Sequence, residues 1–247
     1  MSNFAFNLPA VPRALCHLFR GAVASLLVCA AGGVSAAVIT TNEAALDSIF
    51  SQISFGSSSI DIQFTASQTI YDTALLSIDS STEWSELALF GGNSAYPVIN
   101  MFFVDAMTWC GGPATHTIGC ANTPGNMLML NSDWAASANG GVLAAHELAH
   151  NLGLDHLIGV NTNLMNPILS GNTTLTTAQA LVFLGDGTRE HPGKSLIQMS
   201  TAGQRYITIT PILIAASVPE PETWAMMVAG LFGMAGWVRR RKTLLAA

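Results

Sequence analysis

The groups in this chain best placed to do chemistry together lie in one short run, His146-Glu147-Leu148-Ala149-His150-Asn151-Leu152-Gly153-Leu154-Asp155-His156. On a helix, residues four apart share a face, so His146 and His150 present two imidazoles to one point. Glu147, one residue on, reaches the edge of that point. Gly153 supplies the backbone freedom to end the helix and bring the chain back. His156 then returns a third imidazole. Three neutral nitrogens at about 2.0–2.1 Å suit a Zn2+ ion and leave one coordination position for water. Zinc acidifies such a water, and Glu147 is placed to accept its proton and pass it to a leaving amine. Histidines at this spacing also occur on helices that satisfy them within a core, and a zinc site can be intact yet idle. Glu147 leans against the idle case, because metal binding alone does not require it.

Several elements must position this run. Thr41–Ile53 has apolar residues at near-helical spacing, with Asn42 as a cap and Gly56 beyond. Ser59–Phe64 alternates like a strand. Tyr71–Leu89 accommodates a further strand and a short helix. Val98–Val104 is a continuous apolar run, which suits a strand buried on both faces. Thr117–Ala121 reads as a short strand at the end of a Gly- and Thr-rich loop. Asn126–Leu130 reads as another, after the turn Thr123-Pro124-Gly125. Gly140 and Gly141 precede a helix predicted over Val142–Leu154. A later helix is expected at Thr176–Leu184, capped by Thr176 or Thr177, and a final strand at Arg205–Ile214. The fold class is α+β.

The extended pattern resembles the signature of the metzincin zinc metallopeptidases, which a downstream methionine turn completes. Asn163-Leu164-Met165-Asn166-Pro167 looks like that turn, and its short distance from His156 is similar to matrixin-like members. The resemblance implies a metzincin-like catalytic domain with a mixed twisted sheet, an antiparallel edge strand and an active-site helix. It implies one catalytic Zn2+ on His146, His150 and His156, with Glu147 as general base and acid and Met165 as the floor under the histidines. It also implies that a peptide or protein substrate pairs with the edge strand. Ile118–Ala121 is the candidate strand, and Gly119, Cys120 and Ala121 the candidate substrate contacts. Leu157 matches none of the residues that mark well-known subfamilies, and Asn166 stands where some relatives carry a tyrosine. No latency cysteine is evident. Calcium ligands cannot be picked out; Asp105 and Asp133 read as surface or turn residues. His116 and His191 have no partners in sequence.

The N-terminus predicts export. Arg13 and Arg20, the apolar run Gly21–Ala31 and the small residues Val34-Ser35-Ala36 read as a signal peptide over residues 1–36. Cys16 and Cys29 would leave with it. Cys110 and Cys120 remain, and an oxidising compartment favours a disulfide between them over free thiols or zinc ligands. Residues 38–217 form the expected peptidase domain, with three bases against thirteen acids. That balance argues against nucleic acid as a partner.

The last thirty residues, 218–247, read as a separate segment. Val218-Pro219-Glu220-Pro221-Glu222 precedes the uncharged run Thr223–Val238 and the basic cluster Arg239-Arg240-Arg241-Lys242. As a helix the run spans roughly 24 Å, a little short for a bilayer. By itself this is a marginal membrane helix with a stop signal. The combination resembles the PEP-CTERM sorting signal of Gram-negative bacteria. That resemblance implies transient membrane contact through 223–238, processing by an exosortase-type enzyme, and delivery to the cell envelope or extracellular matrix. Two functions fit the whole chain: an exported zinc-dependent endopeptidase, or a non-catalytic zinc-containing surface or matrix protein.

Overall fold

The computed structural model describes residues 39–90, 97–184, 196–217, 226–232 and 234 of the chain. The expected signal peptide, His191 and half of the run 223–238 lie outside them. In chain order the elements are α1 (Glu43–Phe50), β1 (Ile60–Phe64), β2 (Gln68–Tyr71), β3 (Ser77–Ile78) and α2 (Ser81–Phe90). Then follow β4 (Val98–Val104), β5 (Ala106–Met107), β6 (Gly119–Ala121), β7 (Met127–Asn131), α3 (Ser132–Ala135) and α4 (Gly140–Asn151). The described body closes with α5 (Thr177–Leu184), β8 (Gln198–Met199) and β9 (Arg205–Ala215).

The main sheet runs β1-β9-β4-β7-β6, with β2 and β8 also pairing to β9. β1, β2 and β4 are parallel to β9, and β7 is parallel to β4. β6 is antiparallel to β7 and forms the far edge. The expected mixed α+β fold with an antiparallel edge strand is borne out. The strand read as final holds an interior place that the local pattern does not announce: β9 lies between β1 and β4. Pro211 has no N–H to give a ladder. It falls in the gap between the β1 pairing, which ends at Ile209, and the β2 pairing, which starts at Ile212.

Alternation along β4 divides the core between two faces. Ile99, Met101 and Phe103 pack with Leu46, Phe50, Leu148, Ala149 and Phe183 of α1, α4 and α5. Phe102 and Val104 pack with Leu75, Ile78 and Leu87 on the other side. Burial on both faces is why β4 reads as a continuous apolar run. Each such side chain contributes about 1.5–3 kcal/mol of transfer free energy.

Two boundaries differ from expectation. Asn42 does not cap α1 with its side chain; it sits in the left-handed region (φ 55°), and its Nδ2 donates to the carbonyls of Thr40 and Ala135. Asparagine tolerates that backbone better than most residues. α4 starts at Gly140 rather than Val142 and ends at Asn151 rather than Leu154. A Cβ at Gly140 would lie 1.8 Å from the Ala135 carbonyl oxygen, so the glycine pair lets the helix start hard against the preceding turn. Among the described residues no helix is long and apolar enough to cross a membrane. Residues 226–232 are helical and carry exposed Met226, Met227, Val228, Leu231 and Phe232.

Candidate metal centre

α4 carries His146, Glu147 and His150 beneath the sheet, with all three side chains largely buried. The helix stops in a Schellman turn: Gly153 N–H donates to the His150 carbonyl and Leu154 N–H to the Ala149 carbonyl. Gly153 lies at φ 100°, which side-chain-bearing residues rarely adopt. The turn also orients His150, because the Leu154 carbonyl it exposes accepts a 2.6 Å hydrogen bond from His150 Nδ1–H. Two residues on, the chain delivers the more exposed His156.

The three imidazoles converge. His146 Nε2 lies 3.1 Å from His150 Nε2, and each lies 3.2 Å from His156 Nε2. Among the described residues this is the one group of histidine, cysteine or acidic side chains whose ligand atoms meet in this way. Nitrogens about 2.0–2.1 Å from one tetrahedral zinc stand about 3.3 Å apart, so the spacing fits such an ion. The tautomers fit as well. His146 Nδ1 lies 2.7 Å from the Leu164 carbonyl, which only accepts, so the proton sits on Nδ1 there as it does on His150. The Nε2 lone pairs are thus left free on both rings, the arrangement metal-binding histidines use.

Burial reinforces the neutral state. It lowers the His146 pKa against the partial opposition of the Leu164 hydrogen bond. It takes His150 down to about 4, helped by the neighbouring His146. It also lowers His156, which Asp155 partly counteracts. The same desolvation pushes the Glu147 carboxyl up to about 8 in the metal-free protein. A cation at the three nitrogens would draw that value back down.

The turn at Met165 is held by amide side chains. Asn163 and Gln179 exchange two hydrogen bonds, at 2.8 and 3.1 Å, and the Asn163 Oδ1 also accepts from Met165 N–H. Gln179 completes a capping box with Thr176 at the start of α5, settling the cap on Thr176. Met165 is fully buried, and its carbonyl accepts from Leu157 N–H directly after His156. Leu164, the acceptor for His146, is thereby clamped from both sides.

A cavity of about 560 Å³ opens over His146, Glu147 and His156. Its walls include Ile118 and Gly119 beside β6, Trp134, Val142 and Leu143, and Pro167 to Leu169 after the methionine turn. The expected bridge between Cys110 and Cys120 is present, with its Cα atoms 5.7 Å apart, and it ties the loop bearing His116 to β6. Of the candidate substrate contacts, Gly119 lines the cavity; Cys120 is buried on the far face of the sheet. Sequence reasoning set His116 aside as partnerless and passed over Asn151. His116, in the left-handed region at φ 62°, is on the cavity wall. Asn151 braces the end of α4 by donating to the carbonyls of Asn122 and Met127. Its place directly after His150 was the available signal.

Comparison with known families finds one correspondence: residues 217–242 match the family model described as the PEP-CTERM protein-sorting motif. Such a motif marks an exported protein of the Gram-negative envelope type and is recognised by exosortase-type processing enzymes. No curated protein and no solved structure matches the chain.

Proposed function

We propose that this chain is an exported zinc-dependent endopeptidase of metzincin type. The observation that carries the reading is the convergence of three Nε2 atoms within 3.2 Å of one another, with Glu147 on the same helix and an open cavity above them. His146, His150 and His156 would hold one Zn2+, whose chemistry is to acidify water and polarise a peptide carbonyl. The chain's own residues do the rest. The Leu164 and Leu154 carbonyls hold two imidazoles in the tautomer that offers Nε2. Glu147 takes a proton from the attacking water and returns it to the departing amine. Its place on α4, one residue after His146 and on the wall of the same cavity, suits a group that must both accept and release a proton there. Met165 supports the histidines from below, and the free edge of β6 offers backbone groups to an extended substrate.

The sorting motif at 217–242 supports action outside the cytoplasm, with the tail as a temporary hold at the inner membrane. The test is cleavage of a mixed peptide library by the full chain and by Glu147→Ala, with zinc measured in both. One zinc in each and cleavage by the wild type alone supports the endopeptidase. One zinc in each and cleavage by neither makes the chain a zinc-containing surface or matrix protein. Absence of zinc from both overturns both readings.

A further inference from the structure

We propose that Gly119 is a positioning residue for Glu147, an inference that rests on the peptidase reading above. A Cβ built on Gly119 would lie 2.4 Å from Glu147 Oε1 and 2.8 Å from both Cδ and Cγ. Contact with three successive atoms means that the whole Glu147 arm, not only its tip, occupies the space a side chain at 119 would need. The strand side of this contact is held, so Glu147 could relieve it only by swinging its arm into the cavity and out of its place beside the histidines. Glu147 is 5% exposed and belongs to a helix packed against the sheet. Gly119 is paired with Leu130 in the β6–β7 ladder. The Ile118 carbonyl before it accepts from Asn131 N–H at 2.9 Å, and Cys120 after it is tied to Cys110.

The backbone at Gly119 is outside the left-handed region, so an alanine there would not be strained for its own conformation. What excludes it is Glu147. This separates two roles. As a pure backbone contact for substrate, position 119 would accept alanine, because alanine keeps the N–H and carbonyl. As the seat of the Glu147 arm it would not. The missing side chain lets the edge strand close on α4 and fixes where the carboxylate meets the water it deprotonates.

The experiment is a double-mutant cycle in the full chain, with Gly119→Ala, Glu147→Ala and the double variant. It reads zinc content, the thermal midpoint of the metal-free form, and kcat and KM on a peptide cleaved by the wild type. Gly119→Ala alone is expected to hold zinc, to lower the midpoint by several degrees, and to reduce kcat by about 100-fold with KM nearly unchanged. In the Glu147→Ala background the same substitution is expected to leave the midpoint unchanged or raise it, since the obstructing arm is gone. That background also shows that alanine at 119 is compatible with folding. An equal loss of midpoint in both backgrounds would overturn the proposal, as would a wild-type kcat in Gly119→Ala. If the wild type cleaves no peptide, the peptidase reading falls on its own, while the midpoint cycle still decides whether Gly119 seats Glu147.

Discussion

Replacing Glu147 with glutamine should stabilise the metal-free protein, by an amount that grows with pH. Burial raises the Glu147 carboxyl from 4.5 to about 8. In the unfolded chain it ionises at its ordinary value. Between those two values the folded state holds a proton that the unfolded state has released, so stability falls as pH rises through the window. At pH 7 the interval above 4.5 amounts to about 3 kcal/mol, at about 1.4 kcal/mol for each pK unit. Glutamine has nearly the shape of the protonated acid and carries no such penalty. The variant should therefore match the wild type near pH 4.5 and exceed it by about 3 kcal/mol at pH 7. The assay is urea unfolding of the chelator-treated chain at several pH values, taken as the difference between the two proteins. The histidines titrate in both, so their contribution cancels. Saturating zinc should shrink the difference, because the cation favours the carboxylate. A difference independent of pH, or a wild type more stable at pH 7, would refute the argument that the carboxyl is desolvated.

Three other outcomes follow from the same site. The lowered histidine pKa values mean that the folded metal-free protein keeps neutral imidazoles where the unfolded chain has protonated them. Stability is therefore lost as pH falls from about 6.5 toward the value near 4 at His150, and urea unfolding of the chelator-treated chain should follow that window. Gln179→Leu removes the amide partner of Asn163, and competition with a chelator should show zinc affinity reduced by about 10–100-fold. Gly153→Ala forces a side chain into φ 100° and should cost about 1–2 kcal/mol in a denaturation curve. It should also weaken zinc binding, because the same turn aims the Leu154 carbonyl at His150.

The cluster of His146, His150 and His156 was legible because its logic is local. The spacing of His146 and His150 needs only helical periodicity, whereas the cap of α5 stayed open between Thr176 and Thr177 until the Gln179 hydrogen bonds decided it. β4 was legible because burial on both faces leaves a continuous apolar run. β6 was placed as an antiparallel edge through family resemblance, and its ladder with β7 bears this out. The position of β9 was not legible: alternation in Arg205–Ile214 reports a strand, but the choice of neighbours is made by residues more than a hundred positions away. The start of α4 was misread for a related reason. Glycine's poor helix propensity placed Gly140 and Gly141 outside the helix, whereas close contact with Ala135 decided the matter. Asn42 has the right chemistry for a cap, but its side chain is drawn to Ala135, far along the chain.

The interior place of β9 gives the chain a temporal order. The strand that joins β1 to β4 is made after all three clustered histidines, and it finishes at Ala215, two residues before the sorting motif begins. Until it arrives, β1 and β4 each present an open backbone edge, the kind of surface that invites pairing with other chains. Threading it between them closes contacts of very long sequence separation, which are slow to form. A chain in transit across a membrane therefore completes its sheet only once the segment up to Ala215 has emerged. Once the sheet is complete, trimming anywhere after Ser217 leaves all of its described strands in place.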